Sequence, residues 1–418
     1  MITTRLPPSA TTPKRILFVD DDELLLEGLR DALRPYRHQW SMRFVADGET
    51  ALAAIAAEPH DVIVSDLRMP GLDGAALLAR VEERSPSTVR IVLSGHADIN
   101  AVSRAAASAH RLIAKPCETD ELARIIARSC ALRDIAERVE LDPRAAGASA
   151  LPSVPRAYAQ LTELLRSGSA GAGEIAHVIN HDIAMAAKVL QLANSAYFGR
   201  RQATTSVANA VAYLGTDTLR ALLLHAEAFR VFRVVTPIPG FDLNNLQRHC
   251  TRVALLATAI VKDTGSDGDA FTAGLLHDIG MLILAVQSPD DLAQMLAIAH
   301  KENRPLAEIE REGRSASHAE IGAHLLALWG LPHAVTEAVA GHHDSTWLHL
   351  PFDTVAAVHV ANALVEAVEA SHDADALPPH EPDLDYLADA GLLDSLERWQ
   401  RLAEELVLEP GNSPSAHP

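Results

Sequence analysis

Short runs rich in β-branched residues alternate with amphipathic segments over the first quarter of this chain. Such alternation is typical of strands that are joined by crossover helices and lie parallel in one sheet. The segments between the runs, such as LLLEGLRDAL, have apolar residues at helical spacing. We therefore expect an α/β unit with a doubly wound parallel sheet of five strands, at residues 15–19, 41–45, 61–65, 90–94 and 111–114.

Polar or charged side chains stand at the ends of four of these runs. They are Asp20, Asp21 and Asp22 after the first run, Asp66 after the third, Ser94 in the fourth and Lys115 after the fifth. Because the carboxyl ends of parallel strands meet at one crevice, where ligands bind, we expect these side chains to share a pocket. The acidic pair suits Mg²⁺, which prefers oxygen ligands, and Asp66 is placed to attack a phosphoryl group. Lys115 and the Ser94 hydroxyl would then hold the phosphoryl oxygens.

Four motifs in this segment resemble those of the receiver domain of bacterial two-component response regulators. They are VDDD (19–22), SDLRMPGLDG (65–74), LSGHAD (93–98) and the Lys115-Pro116 pair. Their order and their positions at strand ends make the resemblance specific, and it covers residues 14–130. It implies a phosphoprotein that receives its phosphoryl group from a cognate histidine kinase.

The resemblance also assigns the receiver chemistry to individual residues. It implies that Asp66 is the phosphoacceptor and that Mg²⁺ is bound by Asp20, Asp21 and the carbonyl of Arg68. Leu112 stands where many receivers have an aromatic residue, three positions before the lysine. The resemblance therefore does not extend to an aromatic switch, although the chemistry at Asp66 does not depend on one.

Length and composition limit the classes of function. A chain of 418 residues is too long for one ordinary core and predicts two or three domains. Its formal charge of −19 would repel nucleic-acid backbones and anionic lipid, and no basic recognition helix stands out. The richest apolar stretch, at 355–365, is too short for a membrane span, and the first residues lack the apolar core of a signal peptide. We expect a cytoplasmic protein with no nucleic-acid and no membrane partner.

Helical patterns dominate the rest of the chain and predict a compact all-α domain after a linker rich in Pro, Gly and Ser. The last helix of the first unit is expected to continue as a stalk from an N-cap at Thr119. The expected organisation is a disordered N-terminus (1–13), a receiver domain (14–130), a stalk and linker (131–150), an all-α output domain (151–370), and a C-terminal linker, helix and disordered tail (371–418). The residues that predict packing of the tail helix on the output domain are Leu393, Leu396, Trp399, Leu402 and Leu406.

Histidines are concentrated in the output region, where ten of the chain's twenty lie between His249 and His359. Imidazole and carboxylate groups from several helices can surround one or two transition-metal ions such as Fe, Mn or Zn, and metal-bound water could attack a phosphoester. The candidate ligands are His249, His277, Asp278, His318, His342 and His343. Spacing alone leaves open the alternative that each histidine is a half-buried polar residue at a helix end.

Five motifs in the output region resemble those of the HDOD domain, a relative of the HD and HD-GYP phosphohydrolases. They are LPSVP (151–155), HDIAMAAKVLQLANSAYFG (181–199), AVAYLGTDTLRALLL (210–224), AGLLHDIG (273–280) and HAEIGAHLLALWGLP (318–332). The resemblance implies that the six candidate ligands correspond to a metal site. An earlier pair, His181-Asp182, does not match the metal motif.

Three departures separate this chain from an active HD-GYP phosphodiesterase. Met281 replaces the motif lysine, residues 344–347 contain no Gly-Tyr-Pro loop, and Asn362 stands where an aspartate closes the metal site. Without the lysine and a charged ligand, little catalysis is expected, since each loss costs about a hundredfold. Four or five nitrogen and oxygen ligands are still present, so metal binding is left open.

Two functions are compatible with these features. In the first, phosphorylation of Asp66 switches the receiver, and the HDOD domain passes the change to a downstream signalling protein without chemistry of its own. In the second, phosphorylation controls a metal-dependent phosphodiesterase or phosphohydrolase that acts on a nucleotide or cyclic dinucleotide. The three departures favour the first function. A homodimer is compatible with the sequence but is not required by it.

Overall fold

The structure of the chain is a computed structural model. The structure describes residues 13–85, 87–94, 108–141, 175, 206–215, 237–266, 269–313, 316–329, 331–373 and 376–408, with short pieces between 218 and 225. The chain divides into two compact units, Met1–Glu137 and Arg138–Pro418. The expected disordered ends, most of the linker and the motifs at 151–155 and 181–199 lie outside the described residues.

The first unit is built on a parallel sheet with the strand order β2-β1-β3-β4-β5. The strands are β1 (Lys14–Val19), β2 (Trp40–Val45), β3 (Val62–Asp66), β4 (Val89–Ser94) and β5 (Arg111–Ala114). The strand order reverses between β1 and β3, and the crevice beyond such a reversal is where doubly wound sheets bind ligands. The predicted doubly wound parallel sheet is confirmed.

Helices cover both faces of this sheet. They are α1 (Glu23–Ala32), α2 (Gly48–Ala57), α3 (Gly74–Arg84) and α4 (Thr119–Leu141). Alternate residues of β1 point to opposite faces, so Ile16 and Phe18 pack with α1 and α4, whereas Leu17 and Val19 pack with α2 and α3. The long last helix that was predicted from Thr119 is α4.

The named elements among the described residues of the second unit are helices, as the sequence predicts. They are α5 (Val207–Leu214), α6 (Leu243–Thr264), α7 (Ala270–Leu276), α8 (Ile279–Gln287), α9 (Pro289–Glu302), α10 (Leu306–Gly313), α11 (His318–Leu328), α12 (His333–Gly341), α13 (Thr354–His372), α14 (Leu384–Asp389) and α15 (Leu396–Leu408). One described stretch, Ala270–Gln287, is long and apolar enough to span a membrane, and 78% of it is buried inside the unit. This stretch was not among the apolar runs expected from the sequence.

The C-terminal segment packs on the second unit through α15. Trp399 is fully buried, its indole N–H donates to Asp263 Oδ2 at 3.1 Å, and α15 contacts α6 and α13. The prediction that the tail helix packs on the output region is therefore confirmed. The inclusion of Leu393 in its apolar face is wrong, because Leu393 is exposed and the chain turns before it at Gly391, where φ is +70°.

Two candidate functional sites

The first site lies at the carboxyl edge of the sheet, where three predicted residues meet. Lys115 Nζ donates to Asp20 Oδ2 at 2.8 Å and also to Asp66 Oδ1. Asp20 follows β1 and is buried, and Asp66 is the last residue of β3. Burial lowers the pKa of Lys115, but its hydrogen bonds to the two carboxylates and their charges outweigh burial and raise it above the ordinary value. One ammonium group thus offsets two neighbouring carboxylates.

Backbone groups orient both of these carboxylates. The N–H of Arg68 donates to Asp66 Oδ2 at 2.6 Å, and the N–H of Asp22 donates to Asp20 Oδ1 at 3.0 Å. Gly74 is required beside this site, because a Cβ there would lie 2.1 Å from the carbonyl oxygen of Asp66. The loop after β3 can therefore fold back against the phosphoacceptor candidate only with glycine at this position.

The other predicted residues of this site have different surroundings. Asp21 is exposed and lies two residues after the end of β1. Asp22 is the N-cap of α1, where its side chain accepts from two backbone N–H groups. Asp22 was expected in the shared pocket, and its local role as a helix cap was missed. Ser94 ends β4 next to the site, but its side chain lies outside the described residues.

The second site is a histidine cluster centred on Asp278, the residue before α8. Asp278 Oδ2 lies 3.4 Å from His277 Nε2 and 3.8 Å from His249 Nε2. On the other side, its Oδ1 lies 3.2 Å from His318 Nε2 and 3.6 Å from His342 Nε2. One carboxylate therefore stands between two histidine pairs.

The spacing within each pair suits one metal ion. The Nε2 atoms of His249 and His277 are 3.2 Å apart, and those of His318 and His342 are 3.3 Å apart. Two imidazole nitrogens that each lie 2.0–2.1 Å from a tetrahedral ion are about 3.3 Å from one another. Ligand atoms of His343 also lie within 4.8 Å of those of Asp278, His318 and His342. The structure thus brings all six predicted ligands together.

The opposite nitrogen of each imidazole is held by the protein. Two are held by carboxylates: His249 Nδ1 contacts Glu369 Oε2 at 2.8 Å, and His318 Nδ1 contacts Glu310 Oε2 at 2.6 Å. Two are held by backbone carbonyls: His277 Nδ1 contacts Gly274 O at 2.7 Å, and His342 Nδ1 contacts Val339 O at 2.7 Å. Each acceptor is an oxygen, so each Nδ1 carries the hydrogen, and Nε2 faces the cluster. Metal-binding histidines are oriented in this way by their outer hydrogen bonds. The donor set therefore fits one or two transition-metal ions.

Carboxylates and imidazoles in the cluster shift the pKa values of one another. Burial raises the pKa of Asp278, but the neighbouring imidazoles outweigh burial and hold it well below the ordinary value. Burial lowers the pKa of His318, but Glu310 and Asp278 together raise it to about 10. The pKa of His249 is raised to about 9, because the charges of Glu369 and Asp278 exceed the effect of burial. Both imidazoles are therefore positively charged at neutral pH, with a proton on each ring nitrogen. A metal ion would displace the proton on Nε2.

Two departures noted in the sequence lie at this cluster. Asn362 is fully buried, and its Oδ1 lies 2.9 Å from His249 Nε2. Its Nδ2 donates to Glu366 Oε1 at 3.0 Å. Met281 lines, together with Asp278, a cavity of about 890 Å³. An amide and a thioether therefore stand where the resemblance leads one to expect a carboxylate and a lysine.

Several functional groups around the cluster were missed from the sequence. They are Glu310, His359, Glu366, Glu369 and His380. A signal existed for those on α13, because polar residues at 359, 362, 366 and 369 recur at helical spacing in an apolar helix and share one face. Glu310 and His380 lie on other segments and carry no comparable signal.

Comparisons with known proteins agree with this division of the chain. The family model of the response regulator receiver domain matches residues 16–127, and that of the HDOD domain matches residues 151–345. A structure of an HDOD domain protein with unknown function from Geobacter sulfurreducens is similar to 66% of this chain and is covered completely, with a TM-score of 0.50 and 22% identity. At that identity the likeness shows the fold alone.

Curated relatives match separate parts of the chain. The DNA-binding transcriptional regulator NtrC of Salmonella typhimurium is 38% identical over 84 residues, which are 20% of this chain and 18% of that protein. An uncharacterized protein of Treponema pallidum is 26% identical over 197 residues, which are 46% of this chain and 38% of that protein. The chain thus spans less than two fifths of the length of these relatives.

Proposed function

We infer the function of this chain from its place among the two-component response regulators, in which it joins a receiver domain to an HDOD domain. Phosphorylation of Asp66 is proposed to be its input, and the HDOD domain to be a signalling output without catalysis of its own. The observation that carries the input is the Lys115 ammonium held between Asp20 and Asp66.

Phosphoryl transfer to Asp66 needs a nucleophile, a cation and a donor. A receiver domain implies a histidine kinase as the partner type, with a phosphohistidine as the donor. The Asp66 carboxylate would attack the phosphorus, and a P–O bond would form as the P–N bond to the kinase imidazole breaks. Lys115 is positioned to pair with the phosphoryl oxygens that arrive at Asp66. Receiver domains generally bind Mg²⁺, and Asp20, Asp21 and the Arg68 carbonyl offer the oxygen donors this ion prefers, so that the bound ion offsets phosphoryl charge.

The output is proposed to act through a protein partner. Met281 cannot donate a hydrogen bond to a phosphate, and Asn362 is a neutral and weaker ligand than aspartate. Residues 345–347 form a short 3₁₀ helix whose Trp347 is buried against Gly341. The HDOD domain is accordingly assigned a binding role, with phosphorylation shifting which surface it presents.

The input is tested by incubating the full chain with a small-molecule phosphodonor and Mg²⁺ and detecting the added phosphoryl group by intact mass spectrometry. We expect the wild type to be labelled and Asp66→Asn not to be labelled. The control Asp31→Asn changes an exposed aspartate on α1 and should be labelled as the wild type is. Undiminished labelling of Asp66→Asn would remove this residue from the role.

A second candidate function, metal-dependent phosphohydrolysis, is favoured by the cavity beside Asp278. It is tested by turnover of cyclic dinucleotides with added Mn²⁺ or Fe²⁺, alongside elemental analysis. We expect no turnover. Turnover that is lost in His277→Ala would replace the binding role with a catalytic one.

A further inference from the structure

A third group of ligand atoms lies beyond the six predicted residues. His343 follows α12, Glu366 lies in α13, and His380 lies in the segment between α13 and α14. One ligand atom from each of these residues lies within 4.8 Å of the others. His380 is C-terminal to the stretch that the HDOD family model matches.

His380 is oriented by a carboxylate in the manner of a metal ligand. Its Nδ1 contacts Glu366 Oε2 at 2.8 Å, and its backbone N–H donates to the same oxygen at 3.0 Å. The side chain is only 10% exposed. Because Nδ1 is committed to the carboxylate, the lone pair of His380 is on Nε2, and this buried atom has no hydrogen-bond partner among the described residues.

Two neighbouring imidazoles have unpartnered nitrogens as well. Within the described part of the chain, no group pairs with His343 Nδ1 or with His359 Nε2. His359 is 2% exposed, and its Nδ1 contacts the carbonyl of His342 at 3.0 Å, which leaves the lone pair on Nε2. The ring centroid of His380 lies 4.7 Å from that of His343 and 5.1 Å from that of His359. Buried polar nitrogens are rarely left without a partner, so three in one place indicate a ligand.

We propose that the unpartnered nitrogens of His343, His359 and His380 bind a transition-metal ion of the Zn²⁺ class. Glu366 orients His380 from the Nδ1 side of the ring and is a positioning residue for this ion. Imidazole nitrogen is a donor that such ions take readily, and three imidazoles with an open fourth position form a known zinc donor set. This ion is additional to any ion held around Asp278. His343 belongs to both groups, since it offers a ligand atom within 4.8 Å of the ligand atoms of each.

Binding at this third group connects the C-terminal segment to the cavity. Ala376, Leu377 and Pro378, which precede His380, line the same cavity as Asp278 and Met281. A metal ion that joins His380 to α13 therefore holds one wall of the cavity in place. The proposal does not rest on the signalling role inferred above.

The test is Zn²⁺ binding by the full chain after chelation, in excess Mg²⁺ to occupy the receiver, with bound zinc measured by elemental analysis and affinity by calorimetry. We expect His380→Ala to hold one zinc ion fewer per chain than the wild type, or to bind it at least tenfold more weakly. Glu366→Gln, an isosteric change, should weaken the same ion. The control His300→Ala removes an exposed imidazole on α9 and should bind as the wild type does.

A second readout separates this site from the cluster around Asp278. Zinc should slow hydrogen exchange in residues 376–383 of the wild type and of His277→Ala, but not of His380→Ala. Circular dichroism checks that each variant is folded. Equal zinc content and affinity in His380→Ala and the wild type would overturn the proposal, and so would a wild type that binds no zinc at this segment.

Discussion

Replacing Gly280 by alanine tests whether close packing of two helices positions the histidine cluster. Gly280 lies in α8, two residues after Asp278, and faces the start of α11. A Cβ at this position would lie 1.9 Å from the carbonyl oxygen of His318 and 2.7 Å from its carbonyl carbon. Both are backbone atoms, so no side chain can rotate away. Since non-bonded carbon contacts need about 3.5 Å, α8 and α11 must move apart by roughly 1.5 Å.

That separation acts on stability and on metal binding together. Overpacking of a core costs about 1–3 kcal/mol, which for a unit of this size lowers the melting temperature by roughly 2–12 °C. Asp278 immediately precedes α8 and His318 begins α11, and their side chains are 3.2 Å apart. Metal sites tolerate ligand displacements of only about 0.2 Å, so zinc affinity should fall by about a hundredfold or more.

The assay is thermal unfolding followed by circular dichroism, with zinc affinity measured by calorimetry. The matched control is Gly313→Ala, since a Cβ at Gly313 meets nothing within 4 Å. This control should unfold within about 1 kcal/mol of the wild type and bind zinc unchanged. If Gly280→Ala also behaves as the wild type in both measurements, close packing at this point does not position the cluster.

Two further substitutions probe the charges in the cluster. Asn362→Asp places a carboxylate beside His249 Nε2, which lies 2.9 Å from the present amide oxygen. A charged ligand should bind zinc more tightly than the neutral amide, as measured by calorimetry, and an unchanged affinity would contradict this. Glu310→Gln replaces the buried carboxylate that accepts from His318 Nδ1 with a neutral amide and should weaken zinc binding about 10–100-fold. Because the pKa of His318 is raised to about 10, its stabilisation without metal is complete below pH 6.5 and is lost as pH rises through 10. Glu310→Gln should flatten this pH dependence, and an unchanged profile would show that Glu310 does not raise the pKa.

The sequence alone was sufficient to predict the site at the sheet edge. Asp20, Asp66 and Lys115 each follow a strand, and the carboxyl ends of parallel strands meet at one edge whatever the details of packing. Asp22 was expected in the pocket because it also follows β1. Its side chain instead caps α1, and this role depends on the local backbone angles. The turn at Gly391 that ends the preceding segment was also missed, because apolar residues continue at helical spacing on both sides of it.

Tertiary structure decided the surroundings of the histidine cluster. The sequence pointed to the six candidate ligands through a motif and a resemblance. It did not point to Glu310 and Glu369, which contact His318 and His249, or to His380, which contacts Glu366. Helical spacing specifies which residues share a face of one helix, not which helices face each other or how they are rotated. The oriented imidazoles, the close approach at Gly280 and the unpartnered nitrogens near His380 therefore emerge only when α6, α8, α11 and α13 pack together.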